Sequence, residues 1–456
     1  MEQLKVCLIN DSFPPTIDGV ATAVKNYAQY ITQDHGSAAV ITPYYPDVDD
    51  SVYPFPVYRY PSLDLTKQLG YRAGIPFSPE LMGTVENAGF QILHSHCPIT
   101  STLLARALRD RLRVPLVLTY HTKFDIDIAN AVQSKLIQTE SIRLLVKNIE
   151  ACDEVWTVSR GAGENLRSLG FTKTYTVMPN GVDFPRGRVS DAAVAAETAG
   201  LDLPGELPVY LFVGRMMWYK GIRIILDGLK TLRDEGRDFR MVFVGGGGDK
   251  EEIVAYAQKL GLADRTIFVE PIRDRERIRA WYCRADLFLF PSTFDTNGLV
   301  VREAAACALP SVLVRGSCAA EDAADGETAF LIEENAASLA DCLRRLHGRR
   351  ETARQVGAEA QRQLYLSWED AVSNACEGYG AVLEKFRSGG YPARSGSSDE
   401  VLHHLAKLMD WLNRLDERKM PVEILGHSWT VGELKAFLRN SRDPHSPFSQ
   451  RSDRFL

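Results

Sequence analysis

The residues of this chain whose types and spacing could do chemistry are two acids eight positions apart, Asp295 and Glu303, and two cations five apart, Arg215 and Lys220. Asp295 stands in a polar turn after the apolar run 287–290, and Glu303 falls in an Ala- and Val-rich stretch that reads as a helix from about Gly298. A strand end feeding a helix N-terminus offers unpaired N–H groups and a positive dipole end to an anion. Arg215 and Lys220 follow another apolar run, 209–213, and Gly214. Arg grips an anion through a fork of donors, whereas Lys acts as a point charge. Two further groups close apolar strands: His94 with His96, and His121 with Lys123. A strand-end histidine serves either packing or chemistry, and the sequence leaves both open.

These side chains need elements to hold them. The runs 4–10, 38–42, 91–95, 115–120 and 154–159 read as strands, with helical spacing between them, as over 19–32. Alternation of this kind predicts a parallel sheet with ligands at the strands' carboxyl ends. The loop 11–19, with two prolines and Gly19, is one such end. Residues 44–79 carry many Pro and Tyr and read as a long loop. Residues 128–150 predict a long helix in which Leu136, Ile137 and Ile142 alternate with Lys135, Arg143 and Lys147. Such a helix either docks on anionic headgroups or carries a solvated face. A second series of strands starts at 209, and its member 239–244 runs into four glycines, 245–248, where Gly245 and Gly246 would let a flat base or phosphate approach the backbone. The pattern is no dinucleotide fingerprint. Ile272 and Arg273 follow the next strand, with Arg273 as a ligand-side or an ion-paired residue.

The segment Asp295-Thr296-Asn297-Gly298-Leu299-Val300-Val301-Arg302-Glu303, followed by Ala304-Ala305 and Leu309-Pro310, resembles the acid-x7-acid motif of retaining GT-B glycosyltransferases, the group 1 or family 4 type. Gly214-Arg215 through Lys220-Gly221 is similar to that family's G-R-x4-K-G signature, and the likeness runs from about Lys5 to Phe386. It implies an α/β fold of two doubly wound Rossmann-like domains facing a cleft. It also implies that Arg215 and Lys220 hold a nucleotide diphosphate, that Asp295 holds sugar hydroxyls and Glu303 the ribose, and that His121 points at the donor sugar. Gly19, Gly214, Gly245, Gly246, Ile272, Thr296, Asn297, Gly298 and Leu299 would complete the donor site, with His96 and Lys123 on the acceptor side. Fixed cations beside a leaving diphosphate favour the transition state. The paired carboxylates are therefore not the acid and nucleophile of a glycosidase. Asp as the first acid, and Arg315-Gly316-Ser317-Cys318-Ala319-Ala320-Glu321 in place of the usual Gly-Gly turn, resemble bacterial diacylglycerol glucosyltransferases. That likeness implies UDP-glucose as donor and a lipid acceptor, and Asn297 stands where an aromatic is common.

With 456 residues the chain suits two domains and an appendage. The expected division is 1–185 for the acceptor side, closed by helix 368–387, and 208–367 for the nucleotide sugar. A linker follows at 388–399, then a helical appendage at 400–456, read from Val401, Leu402, Leu405, Leu408 and the capping-box spacing of Thr430 and Glu433. Self-association through the appendage is one use for it; a solubilised tail is the other. A net charge of −6 argues against nucleic-acid binding. Eight scattered cysteines without CxxC spacing read as buried thiols in a reducing cytoplasm. No signal peptide or span is expected, and neither a metal nor a cofactor, so the protein is expected in the cytoplasm with peripheral contact at the inner face of the plasma membrane. The rival readings are a GDP-mannose or polysaccharide-directed transferase, a phosphorolytic enzyme acting on soluble sugars, and a non-catalytic scaffold.

Overall fold

A computed structural model describes residues 3–16, 18–65, 71–74, 79–125, 128, 134–391, 421–424 and 427–430. The chain divides into two compact units, one of Met1–Trp156, Arg167–Thr176 and Ala375–Leu456, the other of Thr157–Leu166 and Val177–Asn374. The crossing points differ from those expected. Residues 157–166 and 177–207 already belong with the second unit, and helix Trp368–Arg387 begins in the second and finishes in the first.

In the first unit, β1 (Leu4–Ile9), β2 (Gly36–Pro43) and β3 (Val57–Tyr60) are followed by a hairpin of β4 (Ser62–Leu65) and β5 (Tyr71–Gly74). Then come β6 (Ile92–Ser95), β7 (Leu116–Tyr120), β8 (Glu154–Thr157) and β9 (Thr176–Val177). The sheet order is β3-β2-β1-β6-β7-β8-β9, and the pairs from β3 to β7 are parallel. The order reverses between β1 and β6, which makes that junction a switch point. Residues 44–79, expected as a loop, thus supply an edge strand and a hairpin. Prolines 54, 56 and 61 bracket β3 too closely for a strand pattern to show, and proline is tolerated at an edge. The helix expected over 19–32 spans Gly19–Tyr30 and widens into a π-helical turn over Ile31–His35. The one expected over 128–150 spans Lys135–Glu150, its predicted start at 129–133 lying outside the described residues.

The second unit is built on β10 (Val209–Val213), β11 (Arg240–Val244), β12 (Thr266–Val269), β13 (Leu287–Phe290), β14 (Ser311–Val314) and β15 (Phe330–Ile332). All pairs are parallel in the order β12-β11-β10-β13-β14-β15. Strands covered on both faces read as unbroken apolar runs, as VYLFV and LFLF do here. Helix Ile222–Asp234 lays Ile222, Ile225, Leu226, Leu229 and Leu232 into the core, at helical spacing. Each such side chain contributes about 1.5–3 kcal/mol. The sheet switches between β10 and β13, so the loops after Val213 and Phe290 open at one point.

Between the two helices expected in the appendage lies a strand pair that the sequence reading did not include. β16 (Pro421–Ile424) and β17 (His427–Thr430) form an antiparallel hairpin, with Thr430 at the end of its second strand. The helices expected from Val401 and after Glu433 lie outside the described residues. The start of the expected linker is anchored, since the Tyr391 hydroxyl donates to Glu154 at 2.8 Å and the Lys385 ammonium lies 4.5 Å from the Tyr391 ring centre. Among the described residues no helix is long and apolar enough to cross a membrane.

Candidate active site

The second unit's switch point gathers the charged residues. After β10 the chain passes Gly214 and Arg215 and makes a tight turn over Trp218–Lys220. Gly221 then adopts φ 77°, where a Cβ would lie 2.2 Å from the Pro291 carbonyl oxygen. Only glycine lets this turn press on the end of β13. The Lys220 ammonium lands 2.6 Å from Asp295 Oδ1, and Asp295 Oδ2 accepts from the Ser292 hydroxyl at 2.6 Å. Lys220 is only 7% exposed, with the rings of Tyr219, Phe290 and Phe294 centred 5.6–5.9 Å from Nζ. Arg215 is exposed, its guanidinium 6.0 Å from the Tyr219 ring centre, and it forms no ion pair among the described residues. One cation is thus buried and paired, the other open to an incoming anion.

The glycine run after β11 braces this turn. Met216 N–H donates to the Gly246 carbonyl at 2.8 Å, and Trp218 N–H to the Asp249 carboxylate at 2.8 Å. At Gly245, φ 147°, a Cβ would lie 2.0 Å from the Gly214 carbonyl oxygen, so the two loops touch backbone to backbone. Ile272 is half-buried against the core. Arg273 is exposed without an ion pair among the described residues, and the paired cation is Arg275.

Asp295 lies on a loop, Gly298 precedes the helix, and Leu299–Ala306 carries Glu303 inward. Glu303 Oε1 accepts from Arg275 at 2.5 Å and Oε2 from the Tyr282 hydroxyl at 2.9 Å. Arg275 also reaches Asp183 at 2.5 Å and stacks 4.3 Å from the Phe184 ring centre. Burial pushes the Glu303 carboxyl upward, and Arg275 and Tyr282 pull against it. Asp183, Arg275 and Tyr282 escaped the sequence reading. Arg275 and Tyr282 are seven positions apart on helix Arg275–Arg284, two donors on one face, which is the signal that was available.

Asn297 and Gly298 line a cavity of 190 Å³ with Arg160, Arg302, Cys318 and Glu321. Thr296 is fixed there by its carbonyl, which accepts from Ser159 Oγ at 2.5 Å. The Asn297 Nδ2 is buried without a hydrogen-bond partner among the described residues. Glu321 is itself committed, accepting from the N–H groups of Arg160 at 2.5 Å and Gly161 at 2.8 Å.

In the first unit Asp18 caps the helix that Gly19 begins, accepting from Ala21 N–H at 2.7 Å, and a Cβ at Gly19 would meet nothing within 4 Å. His94 is a core residue, its Nδ1 2.5 Å from the Tyr379 hydroxyl and Nε2 2.7 Å from Thr119 Oγ1. His96 and His121, on the ends of β6 and β7, meet at 3.0 Å between Nδ1 and Nε2. Burial holds all three imidazoles well below their usual range, His121 at about 3, so they are neutral near pH 7. Lys123 is half-buried. The structure therefore joins Lys220 to Asp295 and His96 to His121, and sets Glu303 apart with Arg275.

Two parallel sheets with charged loops at a switch point define the GT-B class of glycosyltransferases, and solved structures of that kind match in fold. Anabaena Alr3699/HepE in complex with UDP superposes with a TM-score of 0.66 at 17% identity, covering 83% of this chain and all of that one. Sucrose-phosphate synthase from Thermosynechococcus elongatus gives 0.64 at 21%, covering 84% of this chain and all of that one. Residues 195–363 match the family model for glycosyl transferases group 1, and 17–186 that for glycosyltransferase family 4. The D-inositol 3-phosphate glycosyltransferase of Nocardia farcinica is 30% identical over 319 residues, 67% of this chain and 69% of that protein. The sulfoquinovosyl transferase SQD2 of Arabidopsis thaliana is 26% identical over 361 residues, 76% of this chain and 67% of that protein. The chain belongs to the group 1, family 4 glycosyltransferases.

Proposed function

We propose that this glycosyltransferase moves a hexose, glucose, from UDP-glucose to a lipid acceptor, diacylglycerol, with retention of configuration and without a metal or cofactor. The observation that carries a nucleotide-diphosphate donor is the Lys220–Asp295 pair at a sheet switch point, with Arg215 exposed beside it. Donor entry exchanges partners: Lys220 and Arg215 take the diphosphate and Asp295 takes sugar hydroxyls. Charge that develops on the leaving diphosphate meets cations already in place. The Glu303 carboxylate, held by Arg275 and Tyr282, accepts from the ribose with its remaining lone pairs. Neutral His121 serves as a hydrogen-bonding group toward the sugar and not as a proton carrier. The acceptor hydroxyl oxygen bonds to the anomeric carbon on the face from which the diphosphate departs, the carbon–oxygen bond to the diphosphate breaks, and the departing diphosphate oxygen takes the acceptor's proton, so no protein nucleophile is required.

The lipid acceptor rests on helix Lys135–Glu150, where Leu136, Ile137 and Leu144 are exposed beside Lys135, Arg143 and Lys147. Apolar side chains fringed by cations suit the cytoplasmic face of an anionic membrane. A second reading, a soluble phosphorylated polyol as acceptor, is favoured by the relative named D-inositol 3-phosphate glycosyltransferase.

Radiolabelled UDP-glucose and, separately, GDP-mannose test both readings, each offered diacylglycerol vesicles, inositol phosphate or soluble sugars without added metal. Label from UDP-glucose in the lipid phase is expected. Label only in soluble product discards the lipid acceptor and keeps the donor site, and no transfer from either donor overturns the donor assignment.

A further inference from the structure

We propose that His96 is a positioning residue that holds His121 in its neutral Nδ1–H tautomer. His96 Nδ1 and His121 Nε2 lie 3.0 Å apart, so one nitrogen carries a proton and the other a lone pair. His96 is 2% exposed, and its Nε2 has no hydrogen-bond partner among the described residues. Its surroundings are aromatic: the His94 ring is centred 4.0 Å away and the Tyr27 ring meets it edge-on at 5.3 Å.

Two neutral arrangements satisfy the contact, and they differ at the unpartnered atom. If His121 Nε2–H donates to His96 Nδ1, a neutral His96 carries its proton on Nε2, where it is a buried donor with no acceptor. If His96 Nδ1–H donates to His121 Nε2, the unpartnered atom is a bare lone pair. Orphaned N–H donors are the rarer defect in folded proteins, so the second arrangement is the favoured one. It leaves His121 accepting at Nε2 and protonated at Nδ1. An imidazolium in either position is opposed by burial. The backbone locks the pair in place, since β6 and β7 lie side by side in parallel and His96 N–H donates to Ile9 O at 2.9 Å. His96 therefore acts through His121. Its consequence for turnover rests on the sugar-facing role proposed for His121, while the tautomer is argued from the contact with His96 and the unpartnered His96 Nε2.

The test is long-range proton–nitrogen correlation on the full chain labelled with 15N-histidine at pH 7, assigned with His121→Gln. Both His96 and His121 are expected to show a protonated, pyrrole-type Nδ1 and a bare, pyridine-type Nε2. A pyrrole-type Nε2 on His96 overturns the proposal, and this reading needs no variant at His96. In His96→Asn the amide can donate from the place of Nδ1, and the His121 tautomer should persist. In His96→Phe the donor is gone, and the His121 Nε2 resonance should leave its hydrogen-bonded position, either toward a free pyridine-type nitrogen or by gaining a proton; an unchanged His121 spectrum there also overturns the proposal. Turnover separates the two readings. If His121 faces the sugar, His96→Phe lowers kcat about tenfold, the worth of one well-placed hydrogen bond, and His96→Asn far less. A changed His121 spectrum with unchanged kcat would leave the positioning intact and remove His121 from the chemistry.

Discussion

The Lys220–Asp295 pair shows how one residue sets what this chain can do. A buried ammonium held by one carboxylate is already oriented, and its neutralising partner is a group a sugar can recruit. Lys220→Ala should lower kcat/KM for the nucleotide sugar about 10²-fold or more with an unchanged circular dichroism spectrum. Near-normal turnover would remove Lys220 from the site. Tyr282→Phe tests the other acid. Losing its bond to Glu303 should cost about 1 kcal/mol in urea unfolding and raise KM for the donor more than it lowers kcat. An unchanged KM would detach Glu303 from the nucleotide. Asp295 and Glu303 were both legible from type and spacing. Asp183 and Arg275 were not, because they reach one another across 92 positions and no local pattern announces such a meeting.

At the scale of elements, the ends of β6 and β7 place His94, His96 and His121 together, all neutral because burial disfavours their charged forms. Their folded pKa values lie below the unfolded value of about 6.5, so the unfolded chain binds more protons in between. Stability contributed by the neutral rings is present above about pH 6.5 and is lost as pH falls toward the folded values. Each ring costs about 1.4 kcal/mol per pH unit in that window. The urea midpoint should drop between pH 7 and pH 5, and His121→Gln should flatten the slope. A midpoint independent of pH would mean that the rings charge freely in the folded state. Strands β1, β2, β6, β7 and β8 were readable, whereas β3, β4 and β5 fall in the stretch read as a loop, where prolines hide a four-residue edge strand whose pairing with β2 defines it.

On the scale of the whole molecule, helix Trp368–Arg387 belongs to both units, with Asn374 its last residue in the second. Asn374 is exposed, so a substitution there changes backbone and little packing. Asn374→Pro should break the helix at a cost of about 3 kcal/mol. Calorimetry should then resolve two transitions where the wild type shows more cooperative unfolding; one unchanged transition would show that the helix does not couple the units.

What the sequence determined by itself was the alternation of strands and helices, the acid pair on its loop and helix, and the cations after Gly214. These are local facts: period, capping and turn chemistry act over a few residues. The tertiary structure alone decided that Lys220 pairs with Asp295, that Arg275 and Tyr282 hold Glu303, and that His96 turns to His121. The two partners of each such contact, except Lys220 and Asp295 on neighbouring loops of one switch point, sit on separate elements whose approach depends on sheet order. Burial, which keeps the histidines neutral and pushes the Glu303 carboxyl up, is likewise a property of the packed chain and is written in no single stretch of it.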